Sequence, residues 1–352
     1  MRDDLQALRG YHSAQVDVEV RLNTNESPYP PPAQWEEELT AALATINWRR
    51  YPDRAATGLR SAIAEWHGVA PANVFAANGS NEVLQTLLLT YTGPGRTVLT
   101  FEPTYQLHSH IARVAGAVIA QGERRSDFTL DVDAAERMVA DERPAVTFLC
   151  SPNNPTGLVE DPSTVCRLLA VAPGLVVVDE AYAQFADWSA LDLVGEEVPL
   201  AVVRTFSKTW SMAAARLGYL IGPTWLVDAL QEVVLPYHLD AMKQVAGRLA
   251  LDHVDEMDAR VKLVVAERER ISEELGRMAV DVFPSGANFV LFRPRQRPGH
   301  EVWEGLVDRG VLVRDCSRWS RLDDCLRVTV GTPEEDDRFL AALRDVLDTV
   351  SS

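Results

Sequence analysis

From about residue 58 to 230 the chain alternates amphipathic stretches with short, continuously apolar runs. The pattern predicts helices over 58–67 and 80–92, then strand Val98-Leu99-Thr100-Phe101, helix 104–115, strand 117–121, helix 131–140, strand 145–150, helix 161–171, strand Leu175-Val176-Val177-Val178 and strand 200–204. Strands that are apolar without alternation are buried on both faces, so the expected unit is α/β, with a mostly parallel sheet covered by helices. A long polar-faced helix is expected over 254–277. After it come strand 288–293, helix 299–309, strands 311–315 and 325–330, and a terminal helix over 333–348, which together read as a smaller α+β unit. The prolines around Tyr29 make 28–32 a stiff, extended segment, an arm between structural units. That arm is expected to join the small unit. The expected division is a large domain over 45–270, and a small domain made of 1–44 together with 271–352.

Composition narrows the partners. The 352 residues carry a formal net charge of −17, which disfavours nucleic acid or an anionic membrane as the main partner, since both demand a basic surface. Small phosphorylated ligands need only a local cluster of donors and stay open. Cys150, Cys166, Cys316 and Cys325 show no C-x-x-C spacing and read as reduced thiols of a cytoplasmic protein. The N-terminus lacks a basic region followed by an apolar stretch, and runs such as 83–91 are too short to span a bilayer.

The candidate chemistry centres on Lys208, one of three lysines against thirty-one arginines. It follows an apolar strand, with Ser207 before it and Arg216 eight residues on. A desolvated lysine becomes an amine nucleophile toward an aldehyde, and an arginine fork suits phosphate. The bland reading is a surface lysine. Asp179 ends the apolar run 175–178, and an acid at the carboxyl end of a parallel strand points into the ligand crevice; the bland alternative is a helix cap. Tyr182 follows three residues later. Two prolines and Gly157 stiffen 151–157 and present Asn154 at the same edge, although such loops are often only turns. Gly79, Ser80 and Asn81 open an apolar helix, where free N–H groups and the helix dipole favour an anion; many helices start this way. Neither a Walker A motif nor G-x-G-x-x-G occurs, and no H-E-x-x-H or Cys/His cluster suggests a metal.

The order Asn78-Gly79-Ser80-Asn81, Tyr105, Asn154, Asp179, Tyr182, Lys208, Arg216 resembles that of the class I/II aminotransferases, fold-type I enzymes dependent on pyridoxal 5′-phosphate, and most closely the histidinol-phosphate aminotransferase family. The likeness covers essentially the whole chain and includes 22–30, 50–53, 235–239, 287–289 and 326–331. It implies that Lys208 holds the cofactor covalently and then moves a proton at the substrate's α-carbon. Asp179 would pair with the pyridine nitrogen, Asn154 and Tyr182 would contact the 3′-oxygen, and Tyr105 would stack on the ring. Gly79, Ser80, Ser207 and Arg216 would hold the phosphate, joined by Tyr51 from a second subunit of a homodimer with shared sites, and Asn81 would also bind the cofactor. Arg327 would take the carboxylate of glutamate, and Arg314 and Tyr29, with Asn288 nearby, the phosphate of histidinol phosphate. The implied reaction interconverts histidinol phosphate and 2-oxoglutarate with imidazole-acetol phosphate and glutamate. Two positions depart from the family pattern: Ala213-Ala214-Ala215 where a glycine is usual, and Asp240 where a serine is frequent. An acid facing an anionic substrate would be unfavourable. An aromatic amino acid aminotransferase and a phospho-amino-acid decarboxylase are the alternative activities. A non-catalytic binding module is a third, for which the chain shows neither an attached DNA-binding domain nor a lost lysine.

Overall fold

The computed structural model describes residues 5, 6, 8, 10 and 14–348. The elements run β1 (Val20–Leu22), α1 (Ala33–Leu43), α2 (Thr57–His67), β2 (Val74–Ala77), α3 (Gly79–Tyr91), β3 (Thr97–Glu102), α4 (Leu107–Val114), β4 (Val118–Glu123), α5 (Val132–Glu142), β5 (Val146–Cys150), α6 (Pro162–Val171) and β6 (Leu175–Asp179). They continue with β7 (Leu200–Thr205), β8 (Gly218–Ile221), α7 (Thr224–Val233), α8 (Ala241–Ala250), α9 (Val254–Gly276), β9 (Val280–Val282), β10 (Phe289–Pro294), α10 (Gly299–Val307), β11 (Val311–Asp315), β12 (Leu326–Thr329) and α11 (Pro333–Asp348).

Seven strands form one sheet in the order β2-β8-β7-β6-β5-β3-β4. β3 to β7 pair in parallel, while β8 runs antiparallel to both β2 and β7. Every residue of β5, β6 and β7 is buried, as their unbroken apolar runs require when helices cover both faces. α3 buries Val83, Leu84, Leu87 and Leu88, a stripe at helical spacing, against one face. α6 starts cleanly because Asp161 accepts the N–H of Ser163 and Pro162 occupies the first turn; caps of this kind contribute about 1 kcal/mol.

A second sheet has the order β1-β11-β12-β10-β9. β1, from the N-terminal arm, lies parallel to β11 with Val20 opposite Val311. α9 buries Met257, Val261, Val264, Ile271 and Leu275 along one face. Among the described residues, no helix is long and apolar enough to cross a membrane.

The structure adds β1, β2, β8, β9, α1, α7 and α8, which the sequence pattern did not predict. It also corrects the helix expected over 104–115, which begins only at Leu107. The parallel register sets Cys150 opposite Asp179 and Asp179 opposite Val203. The carboxyl ends of β5, β6 and β7 therefore lie side by side at one edge of the sheet, where open α/β sheets bind ligands.

Candidate active site

A cavity of about 210 Å³ opens at that edge. Lys208, Ser207 and Thr205 enter it from the end of β7, Asp179, Ala181 and Tyr182 from the end of β6, and Cys150 and Asn154 from the end of β5. Ser80 and Asn81 come from the first turn of α3, Tyr105 from the turn before α4, and Arg216 from the turn before β8. Arg327 of β12 and Thr24 and Asn25 of the arm close it from the side of the second sheet.

Each of these side chains is held by its own supports. Asn153 is fully buried and spends its side chain on Thr104 Oγ1, the Pro103 carbonyl and Thr156 Oγ1. That fixes the loop and leaves Asn154 to face the cavity. Asp179 is 2 % exposed; its Oδ1 accepts the N–H of Ala181 and its Oδ2 lies 2.8 Å from His108 Nε2. His108 is itself wholly buried, with its ring stacked on Phe148 at 4.4 Å. The neighbouring Glu180 is committed to Arg204, so Asp179 is the acid of the cavity.

The far end of the cavity is a cluster of donors. Gly79 has φ +79°, and a Cβ there would lie 2.8 Å from Arg216 Nη2. Gly218 lets β8 reach the backbone N–H of Ser80, where a Cβ would sit at 2.3 Å. Two glycines thus bring the start of α3 against the Arg216 guanidinium, which also reaches Ser207 Oγ at 3.3 Å. Helix N–H groups, two serine hydroxyls and a guanidinium in one place form a phosphate cup.

Lys208 Nζ donates to the Thr24 carbonyl at 3.1 Å and lies 5.8 Å from the centre of the Tyr182 ring. Burial, then the positive fields of Arg327 and Arg216, lower its pKa from 10.5 to about 7, against an opposing pull from Glu26. Much of the amine is therefore neutral and nucleophilic near pH 7. Burial pushes the Tyr182 phenol and the Cys150 thiol well above their usual values.

These residues fit pyridoxal 5′-phosphate. The cup suits the phosphate and Lys208 suits the aldehyde. The buried Asp179 carboxylate, whose partners here are one N–H and one imidazole, suits a protonated ring nitrogen. Of the residues singled out from sequence, Ser80, Asn81, Tyr105, Asn154, Asp179, Tyr182, Ser207, Lys208, Arg216 and Arg327 line the cavity, and Gly79 backs it.

Others lie elsewhere. Tyr51 is 80 % exposed and stacks on Tyr237 at 4.5 Å. Tyr29 packs against the main core beside Ser27. Asn288 donates to the carbonyls of Asn25 and Glu26, behind the cavity wall. Arg314 is buried over the Trp319 ring and stands directly opposite Arg327 in the β11–β12 ladder, while Asp315 pairs with His300. Arg314 is therefore not half of an exposed ion pair with Asp315. Asp240 caps α8 through the N–H of Lys243 and pairs with the Lys243 amine, outside the cavity lining. His108 and Asn25 also belong to the site, although neither stands out in the sequence pattern. His108 stands three residues after Tyr105, and that spacing could have flagged it; Asn25 gave no local signal.

The family model for aminotransferase class I and II matches residues 17–343. A Streptomyces avermitilis protein named histidinol-phosphate aminotransferase is 46% identical, covering 98% of this chain and 96% of that one. A protein of the same name from Corynebacterium diphtheriae is 42% identical, with 98% and 96% covered. The crystal structure of histidinol-phosphate aminotransferase from Sinorhizobium meliloti in complex with pyridoxal 5′-phosphate superimposes with a TM-score of 0.89 at 22% identity, covering 99% of this chain and 97% of that one.

Proposed function

The chain belongs to the class I and II aminotransferases, and on that premise we propose that it binds pyridoxal 5′-phosphate through Lys208 and transfers the amino group of histidinol phosphate to 2-oxoglutarate, giving imidazole-acetol phosphate and glutamate in histidine biosynthesis in the cytoplasm. The observation that carries this reading is one cavity joining a neutralised lysine, a buried aspartate and a phosphate cup, in a chain 42–46% identical to relatives named for that activity.

The cofactor, when bound, supplies an electron sink for the pair of electrons left at the substrate's α-carbon. The chain's own groups do the rest. The Lys208 amine would hold the cofactor and would move the proton at the substrate's α-carbon. The Asp179 carboxylate, steadied by His108, keeps the ring nitrogen protonated. Asn154 and Tyr182 would contact the 3′-oxygen, Tyr105, held by Asn81, would cover the ring, and Ser80, Ser207 and Arg216 would hold the phosphate.

Substrate choice rests on two arginines. Arg314 and Arg327 face each other across β11 and β12, an arrangement of like charges that is unfavourable on its own. Arg327 is supported by the Phe289 ring, Asn154 Oδ1 and the Asn23 carbonyl, and Arg314 by Trp319. A paired cationic edge serves both dianionic 2-oxoglutarate and the phosphate of histidinol phosphate, with Tyr29 of the arm and Asn288, just before β10, supporting it. Arg314→Ala is expected to lower kcat/KM for histidinol phosphate by roughly 2–5 kcal/mol, and to change that for phenylalanine far less. Equal, small losses on both donors would instead favour a general aromatic aminotransferase. Release of CO₂ without an oxo-acid acceptor would favour a decarboxylase.

Trp48, Tyr51 and Leu235 are 70–80 % exposed, and Tyr237 and Met242 each 42 %. Tyr51 and Tyr237, stacked on each other at 4.5 Å, are the part of this exposed apolar surface suited to a partner. A second copy would cover it, with Tyr51 reaching the partner's phosphate cup. Mixed dimers of Lys208→Ala and Tyr51→Ala subunits are then expected to recover activity, given that Tyr51→Ala alone is severely impaired, because one of their two sites is intact. No recovery in verified mixed dimers would place Tyr51 within its own chain's function.

A further inference from the structure

Asn25 is 1 % exposed and has φ 55°, a left-handed conformation that asparagine tolerates better than most residues. Its backbone N–H donates to Thr329 Oγ1 at 3.0 Å, and the same hydroxyl lies 3.1 Å from Asn25 Oδ1. The Thr329 hydroxyl donates to Asn25 Oδ1, and the NH₂ end of the amide faces the other way, with Asn25 Nδ2 donating to the Tyr182 phenol oxygen at 2.9 Å. Asn288, donating to the Asn25 carbonyl, holds the residue in place from just before β10.

The phenol oxygen thus receives a hydrogen from Asn25 and keeps its own hydrogen to give away. Donors that also accept are strengthened as donors. Tyr182 and Lys208 line the same cavity, with the lysine amine over the tyrosine ring. We propose that Asn25 is a positioning residue which, locked by Thr329, aims the Tyr182 hydrogen at the 3′-oxygen of the cofactor and so sets the basicity of the nitrogen that joins the cofactor to Lys208.

The inference rests on the cofactor reading above. Its physical content is that a stronger hydrogen bond to the 3′-oxygen favours the negative charge there and makes the joining nitrogen easier to deprotonate. Removing Asn25's donor therefore makes that nitrogen harder to deprotonate. Since Asn25 is contributed by the arm and Thr329 by β12, the phenol is also tied to the second sheet, which carries Arg327.

The test follows the absorbance of the bound cofactor against pH in Asn25→Gly and Asn25→Asp. Glycine keeps the left-handed backbone and removes the amide. Aspartate keeps the shape, but it can only accept, and so takes the phenol's hydrogen away from the cofactor. The midpoint is expected to rise by roughly one pH unit in Asn25→Asp and by less in Asn25→Gly, with both variants retaining the borohydride-reducible adduct on Lys208. In a Tyr182→Phe background, Asn25→Gly is expected to add nothing, an outcome that a merely structural role would not give. Unchanged midpoints in both variants, or a shift undiminished when Tyr182→Phe is also present, would overturn the inference and leave the cofactor reading standing. Absence of the Lys208 adduct in the wild-type protein would overturn both.

Discussion

Lys208→Ala is expected to reduce transamination by at least about 10³-fold while leaving non-covalent cofactor binding largely in place. The size follows from the amine having two duties, bonding to the cofactor and moving the α-proton, and the second alone is worth roughly 10²–10⁴. Binding survives because the cup of Ser80, Ser207 and Arg216 is independent of the amine. The wild-type amine also has a distinctive pH signature. Its pKa falls from 10.5 to about 7 on folding, so capture of the cofactor by the apoprotein is expected to rise through pH 7 and then level off, where an ordinary lysine would keep gaining to beyond pH 10. The same depression means that the unfolded chain holds one more proton between those values. Lys208 thus contributes to a rise in apoprotein stability as pH increases from about 7 toward 10.5.

Asp179→Asn is the second large effect. The substitution keeps size and shape, and the amide oxygen can still accept from Ala181 N–H while its NH₂ turns to the His108 imidazole in the accepting tautomer, but the negative charge beside the ring nitrogen is gone. Without it the ring nitrogen loses its proton and the ring its capacity to withdraw electrons. A fall in kcat of roughly 10²–10³, the scale for removing one preorganised electrostatic contact, is expected with a smaller loss of cofactor affinity, read by stopped-flow of the half-reaction and by equilibrium titration. Near-wild-type turnover would reduce Asp179 to a cap on the turn that follows β6.

What the sequence made legible tracks locality. β5, β6 and β7 are apolar at nearly every position, so both their existence and the functional weight of the residues after them could be read directly. β1, β2, β8 and β9 are three or four residues long, too short for a period to register. α1 buries only Trp35, which leaves it without an apolar stripe. The same rule holds inside the site. Asp179 and Lys208, at or just past strand ends, were found, whereas Asn25 acts through partners 157 and 304 residues away, and His108 through a strand end 71 residues on. Arg314 stands thirteen positions before Arg327 in the sequence. The ladder shows that the two face each other directly, a fact that only the antiparallel pairing of β11 and β12 creates.

The central claim is that Lys208 carries the cofactor. Borohydride reduction of the cofactor-loaded wild-type protein, followed by peptide mass spectrometry, tests it with little ambiguity because the chain has only Lys208, Lys243 and Lys262 to choose from. A single pyridoxyl adduct on the peptide containing Ser207 and Lys208, absent from Lys208→Ala, is the expected result. An adduct on Lys243 or Lys262, or none on any lysine, would contradict the account.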